Sequence, residues 1–259
     1  AEWKVTLRTG CRLAQVTAAY AARSGPDENG QREWSLRWSG PDEDARELFT
    51  GLGYAPDQIE AYFHVATCHG FAIACHAIGD EANTIVPNAA ASTHAHGSIE
   101  HAQMLKPADI PRFAKLGLTA SIQPQHAMDD RDVITRFWAN PGGIPYAFKA
   151  LHDAGVRLRM GSDAPVAPLD PWMAISAAVF GTESSDREPF QPEQCLDART
   201  ALAASTAVGR DRPEPGDPAD LVLLDRDPYA VSTPEEMRAM PVAATMLAGR
   251  WTYSSLHGE

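Results

Sequence analysis

Three residues able to do metal chemistry each close an apolar run. They are His76 in Phe71-Ala-Ile-Ala-Cys-His76-Ala-Ile-Gly-Asp80, His101 in Ser98-Ile-Glu-His101-Ala-Gln103, and Asp163 in Val156-Arg-Leu-Arg-Met-Gly-Ser-Asp163-Ala-Pro-Val166. Two imidazoles and a carboxylate form a borderline-soft donor set that suits zinc and tolerates manganese, iron or nickel. Each run reads as a strand ending on a polar residue, followed by small or turn-forming residues. In a (β/α) barrel the strand ends converge on one face, so ligands far apart in sequence meet around one metal. The pattern points to metal-dependent hydrolysis.

The elements that must position these residues alternate. Helices are expected over 56–69, 80–91, 107–116, 144–154 and 171–180, and strands over 71–76, 98–102, 118–123 and 156–161. Strands alternating with helices of this length indicate parallel βαβ units. Before them lie a strand over 4–7, a helix over 12–22, a polar stretch over 24–30 and a helix over 42–49. After a helix at 197–208, the turn-rich 213–218 leads to a strand at 219–225 and a hairpin of 242–247 with 250–253 around Ala248-Gly249. The fold class expected is α/β: a (β/α) TIM-type barrel portion over 1–212 and a small β segment over 213–259.

With 259 residues and a formal net charge of −12, the chain lacks the Lys/Arg cluster of a nucleic-acid surface and suits small-molecule substrates. Its four cysteines have no Cys-x-x-Cys spacing, which fits reduced thiols in the cytoplasm. No apolar run is long enough for a bilayer, and no signal peptide is read. The start, Ala1-Glu-Trp-Lys-Val5, falls inside a strand-like segment and reads as a cut edge.

Four ordered motifs carry a family likeness: Cys-His76-Ala-Ile-Gly-Asp80, Ile-Glu-His101-Ala-Gln103, Ala-Ser-Ile-Gln123-Pro-Gln-His126 and Gly-Ser-Asp163-Ala-Pro-Val. With the tail Pro215-Gly-Asp-Pro-Ala-Asp-Leu-Val-Leu-Leu-Asp-Arg-Asp-Pro228, they resemble the amidohydrolase superfamily over roughly residues 60–255. Within it they are similar to the amidohydrolase-3 branch of YtcJ-like proteins and N-substituted formamide deformylases. The resemblance implies a distorted (β/α)8 barrel with a β-sandwich built from both chain ends, of which this chain supplies the C-terminal half. It implies one or two divalent ions, zinc first, on His76, His101 and Asp163. It also implies hydrolysis of an amide, formamide or cyclic amide, with Asp163 taking a proton from the attacking water and passing it to the leaving nitrogen. The family's first-strand His-x-His pair has no counterpart here, and its strand-4 lysine has only Lys4 as a candidate. The expected partner is therefore a second copy or a missing N-terminal half. The alternative is an incomplete fragment or remnant acting only in binding.

His126 and Gln123 are candidates for substrate contact or oxyanion stabilisation, against a loop hydrogen-bonding role. Asp80 is expected to cap the following helix, Glu100 to face away from the ligand set, and Cys75 to be a core thiol. His94 and His96 read as solvated loop histidines. Phe137, Trp138 and Tyr146 suit an aromatic pocket wall and core packing equally.

Overall fold

The structure, a computed structural model, describes residues 55–137 and 143–256 and the strands at 3–9, 12–20 and 36–38. The expected elements at 24–30 and 42–49, together with Cys11, Trp138 and the side chains of Lys4 and Phe137, lie outside the described residues. The chain divides into two compact units. The first holds 1–121, 142–145 and 153–157; the second holds 122–141, 146–152 and 158–259.

In the first unit, β1 (Trp3–Thr9), β2 (Arg12–Tyr20) and β3 (Leu36–Trp38) form an antiparallel sheet in that order. Residues 12–20 are thus a strand and not the helix their alanines suggested. The strand pairs with β1 from Trp3↔Ala18 to Thr9↔Arg12. Pairing along a strand that holds Val16 and Thr17 outweighs the modest helix preference of three alanines. Helix α1 (Pro56–Cys68) opens on Pro56 and buries Phe63 and Ala66. The alternation then runs through β4 (Ile73–Ala77), α2 (Asp80–Thr93), β5 (Gly97–His101), β6 (Met104–Leu105), α3 (Ile110–Leu116) and β7 (Thr119–Ile122).

Strands β4, β5 and β7 are parallel neighbours in that order. Ile99 on the central strand and Phe113 on α3 are fully buried, as expected for a parallel sheet covered by helices. The strands expected at 71–76, 98–102 and 118–123 and the helices at 56–69, 80–91 and 107–116 are thus present in substance, while the described parallel sheet is open and does not close into a barrel. A short antiparallel pair joins β6 to β8 (Ile144–Pro145). Residues 144–145 were expected to begin a helix.

In the second unit, α4 (Pro124–Phe137) follows the last residue of β7, and α5 (Phe148–Asp153), β9 (Arg157–Met160) and α6 (Pro171–Phe180) continue the pattern. Asp170 caps α6 by accepting from the Trp172 amide at 2.9 Å. Helix α7 (Ala198–Ser205) is capped in the same way by Asp197. After it come β10 (Leu221–Leu224), the short α8 (Pro234–Arg238), β11 (Val242–Leu247) and β12 (Arg250–Ser254). The last three strands form one antiparallel sheet in the order β10-β11-β12. The Ser176 hydroxyl, fully buried on α6, donates to the Pro234 carbonyl at 3.1 Å and ties α8 to the core. Among the described residues no helix is long and apolar enough to cross a membrane.

Candidate metal centre

Parallel pairing sets His76 opposite Glu100 and Ala77 opposite His101. Because neighbours on a strand face opposite ways, this register alone would separate the two histidines. The pleat ends where β5 ends, however: His101 has φ 71° and Ala102 φ 44°. Non-glycine residues occupy that left-handed region only where their surroundings hold them there. His76 Nδ1 consequently lies 2.9 Å from His101 Nε2. The ring centroids are 4.9 Å apart, with planes inclined by 39°. His101 is 8% exposed and His76 half-buried.

The donor set fits a zinc-class ion. One of the two facing nitrogens carries a proton and the other accepts it. Two nitrogens on one tetrahedral zinc stand about 3.3 Å apart, so the pair needs to open by only about 0.4 Å to ligate one ion.

The turn under His76 is held by a residue that the motifs did not single out. Asn83, fully buried, donates through Nδ2 to the carbonyls of Ala77 at 3.0 Å, Ile78 at 3.3 Å and Gly79 at 3.0 Å. The Met104 amide adds a bond to the Ile78 carbonyl at 2.9 Å. A signal existed: Asn83 shares the helix stripe of Val86, Pro87 and Ala90, all buried. A lone amide on such a stripe requires buried partners.

Asp80 is not the cap of α2. Gly79 occupies the N-cap, and Asp80 is the first helical residue. Its carboxylate lies 3.8 Å from Lys106 Nζ, which bonds Glu81 at 2.7 Å. Glu100 accepts from the Ser98 hydroxyl at 2.5 Å. Burial, with the Glu100 charge adding to it, pushes the Cys75 thiol up to about 12, as suits an inert core cysteine. His94 and His96 are exposed before the start of β5, with His94 serving as the left-handed C-cap of α2.

The second unit assembles another imidazole and the carboxylate. Gly161 N–H donates to the Ile122 carbonyl at 3.1 Å, setting the end of β9 beside the end of β7. Gln123 follows Ile122 directly, and the His126 amide bonds the Gln123 carbonyl at 3.1 Å in the first turn of α4. His126 is thus buried in the first turn of α4, and Gln123 is buried as the residue just before it. Pro124 was the signal, since proline suits the first helical turn.

Asp163 is exposed and has φ 52°, in a turn closed by Val166 N–H to its carbonyl at 2.9 Å. His126 and Asp163 offer ligand atoms within 4.8 Å of one another. The first turn of α4 is braced by Gln125, 5% exposed. Gln125 Nε2 donates to Glu183 at 2.8 Å, and its Oε1 accepts from Arg238 at 3.4 Å.

Tyr146 belongs to the core and also lines a small cavity there, beside Phe148 and Phe190. It is buried, packs edge-on against Phe148 at 5.8 Å, and donates to Asp130 Oδ2 at 2.7 Å. Burial holds its phenol well above the usual tyrosine range, and the Asp130 hydrogen bond adds to this.

The structure therefore pairs His76 with His101 in the first unit and His126 with Asp163 in the second. Residues 15–253 match the family model described as the amidohydrolase family. The chain belongs to this family, in its amidohydrolase-3 branch.

Among relatives, the Arabidopsis thaliana protein LONG AFTER FAR-RED 3 is 29% identical over 76% of this chain and 37% of its own length. A putative amidohydrolase, YtcJ, from Bacillus subtilis is 28% identical over 71% of this chain and 38% of its own. An N-substituted formamide deformylase from Arthrobacter pascens is 28% identical over 71% and 37%. A solved metal-dependent hydrolase from Pyrococcus horikoshii superposes with a TM-score of 0.61 at 28% identity, over 70% of this chain and 39% of that one. The chain spans less than half the length of these relatives.

Proposed function

We propose that the protein acts as a metal-dependent hydrolase of C–N bonds in amides, formamides or cyclic amides. The ligands proposed are His76, His101 and Asp163, with zinc as the first choice of ion. The observation that carries this reading is the 2.9 Å contact between His76 Nδ1 and His101 Nε2 at the ends of neighbouring parallel strands. Family membership and the likeness to the Arthrobacter pascens N-substituted formamide deformylase support the choice of bond.

A bound ion would supply Lewis acidity and a water acidified for attack. The exposed Asp163 carboxylate would accept a proton from the attacking water at a side-chain oxygen and pass it to the leaving nitrogen. His126 offers a nitrogen within 4.8 Å of an Asp163 carboxylate oxygen, and with Gln123 it provides polar groups for the substrate carbonyl. The strand–helix alternation and parallel pairing support a portion of a (β/α) barrel, with β10–β12 as its appended β segment.

The test is elemental analysis of purified protein by inductively coupled plasma mass spectrometry, with His101→Ala in parallel. The expected result is about one equivalent of zinc or a similar ion in the parent and loss of it in the variant, because three ligands plus water make a catalytic zinc site. Metal content unchanged by His101→Ala, or none after reconstitution, would defeat the reading. Turnover of N-substituted formamides then tests the choice of bond.

A further inference from the structure

We propose that α1 carries a second, surface metal site, a two-ligand chelate formed by His64 and Cys68 for a thiophilic divalent ion of the zinc class. The sequence His64-Val-Ala-Thr-Cys68 places the two residues four apart, where side chains on one helix face meet. The opposite face is committed to the core through Phe63 and Ala66, which leaves His64 and Cys68 exposed.

His64 Nε2 and Cys68 Sγ lie 3.5 Å apart. A tetrahedral zinc with bonds of roughly 2.3 Å to sulfur and 2.0–2.1 Å to nitrogen holds such a pair about 3.6 Å apart. The two atoms therefore stand at chelating distance as they are, on a helix that fixes their spacing. Imidazole with a thiol is also the softer donor set of this chain: the proposed catalytic ligands are nitrogen and oxygen, whereas sulfur favours zinc, cadmium and cuprous ions. On binding, Cys68 gives up its Sγ proton to solvent and the thiolate lone pair forms the bond to the ion.

The other two described cysteines offer no such site. Cys75 is held as a thiol by burial, and burial raises Cys195 as well. With two protein ligands, the ion keeps two positions for water, so the site is open and exchangeable.

The test is alkylation of the full chain by iodoacetamide, with and without zinc alone, read by peptide mass spectrometry so that Cys68 is followed separately. A metal-held thiolate is withdrawn from reaction. Zinc is expected to slow Cys68 labelling about tenfold in the parent and to have little effect in His64→Gln, which, being an exposed change, leaves the circular dichroism spectrum unaltered. Equal labelling rates with and without zinc in the parent would overturn the proposal, as would equal protection in His64→Gln. Because the readout is confined to one cysteine peptide, it stands or falls separately from metal binding at His101.

Discussion

The imidazoles of His76 and His101 touch at 2.9 Å although the strand register sets these residues one step out of line. The contact rests on a left-handed break in β5 and on the close approach of β4 and β5 at their opposite ends. At that opposite end stands Gly97, with φ 148°. A Cβ added there would lie 2.0 Å from the Ile73 carbonyl oxygen.

Gly97→Ala must therefore push β4 and β5 apart at their start. We expect destabilisation of about 3 kcal/mol or more, together with a loss of metal content matching that of His101→Ala. Denaturant unfolding checks the first effect. A variant of parental stability would show that the strands yield without cost.

Asn83 is predicted to be the main polar support of the turn after His76. Asn83→Ala removes three side-chain hydrogen bonds, while the Ala77 and Ile78 carbonyls keep their bonds from the Gln103 and Met104 amides. The expected loss is therefore about 1–3 kcal/mol. Asn83→Asp sets a carboxylate against three carbonyl acceptors, so it should be worse than alanine at neutral pH. Its defect should shrink as the pH falls and the carboxyl becomes a donor. Thermal unfolding of both variants across pH decides the matter; an aspartate as stable as the parent at neutral pH would contradict it.

Glu235 gives a pH prediction. Its carboxylate accepts from the Ser185 amide at 2.6 Å and the Ser185 hydroxyl at 2.7 Å, and these bonds hold it down at about 2 against an ordinary 4.5. Since the folded value lies below the unfolded one, the stabilising contribution is complete above 4.5 and is lost as the pH falls towards 2. A carboxyl-detected NMR titration should place the Glu235 midpoint near 2. Ser185→Ala should raise it without restoring the ordinary value, because the backbone amide remains. A parental midpoint at 4.5 would refute the assignment.

Ala248 has φ 48° and Gly249 φ 76° in the two-residue turn between β11 and β12. Both central residues of this turn are left-handed, a conformation that asparagine tolerates and alanine resists. Ala248→Asn should stabilise the protein by about 0.5–1 kcal/mol, measured as a higher unfolding midpoint. An unchanged or lower midpoint would remove the argument.

Much of this arrangement was legible as sequence, and the misses have definite causes. The strands ending near His76, His101 and Asp163 announced themselves as apolar runs closing on polar residues, and the hairpin at Ala248-Gly249 by its turn. The strand at 12–20 departs from the expected helix because alanine suits a helix on local grounds, while pairing with β1 decides the matter. Helix α4 was not among the expected helices, although Pro124 suits a first helical turn. The meeting of His76 and His101 was expected from strand ends that converge on one face, but not the backbone that brings it about. Alternation predicts them on opposite faces, and only backbone torsions at His101 and Ala102 reverse that. Asn83 and Gln125 went unnoticed because neither has chemistry of its own; their value comes from the carbonyls and charges they meet.

The left-handed backbone at His101 and Asp163 also bears on how such a chain would age. Glycine adopts that backbone without steric cost, so each of the two positions carries a small standing penalty. At the exposed Asp163 a change to glycine relieves it with no repacking, whereas His101 is 8% exposed and its loss would leave a void. Position 163 is therefore where a copy that had abandoned the chemistry would first record it.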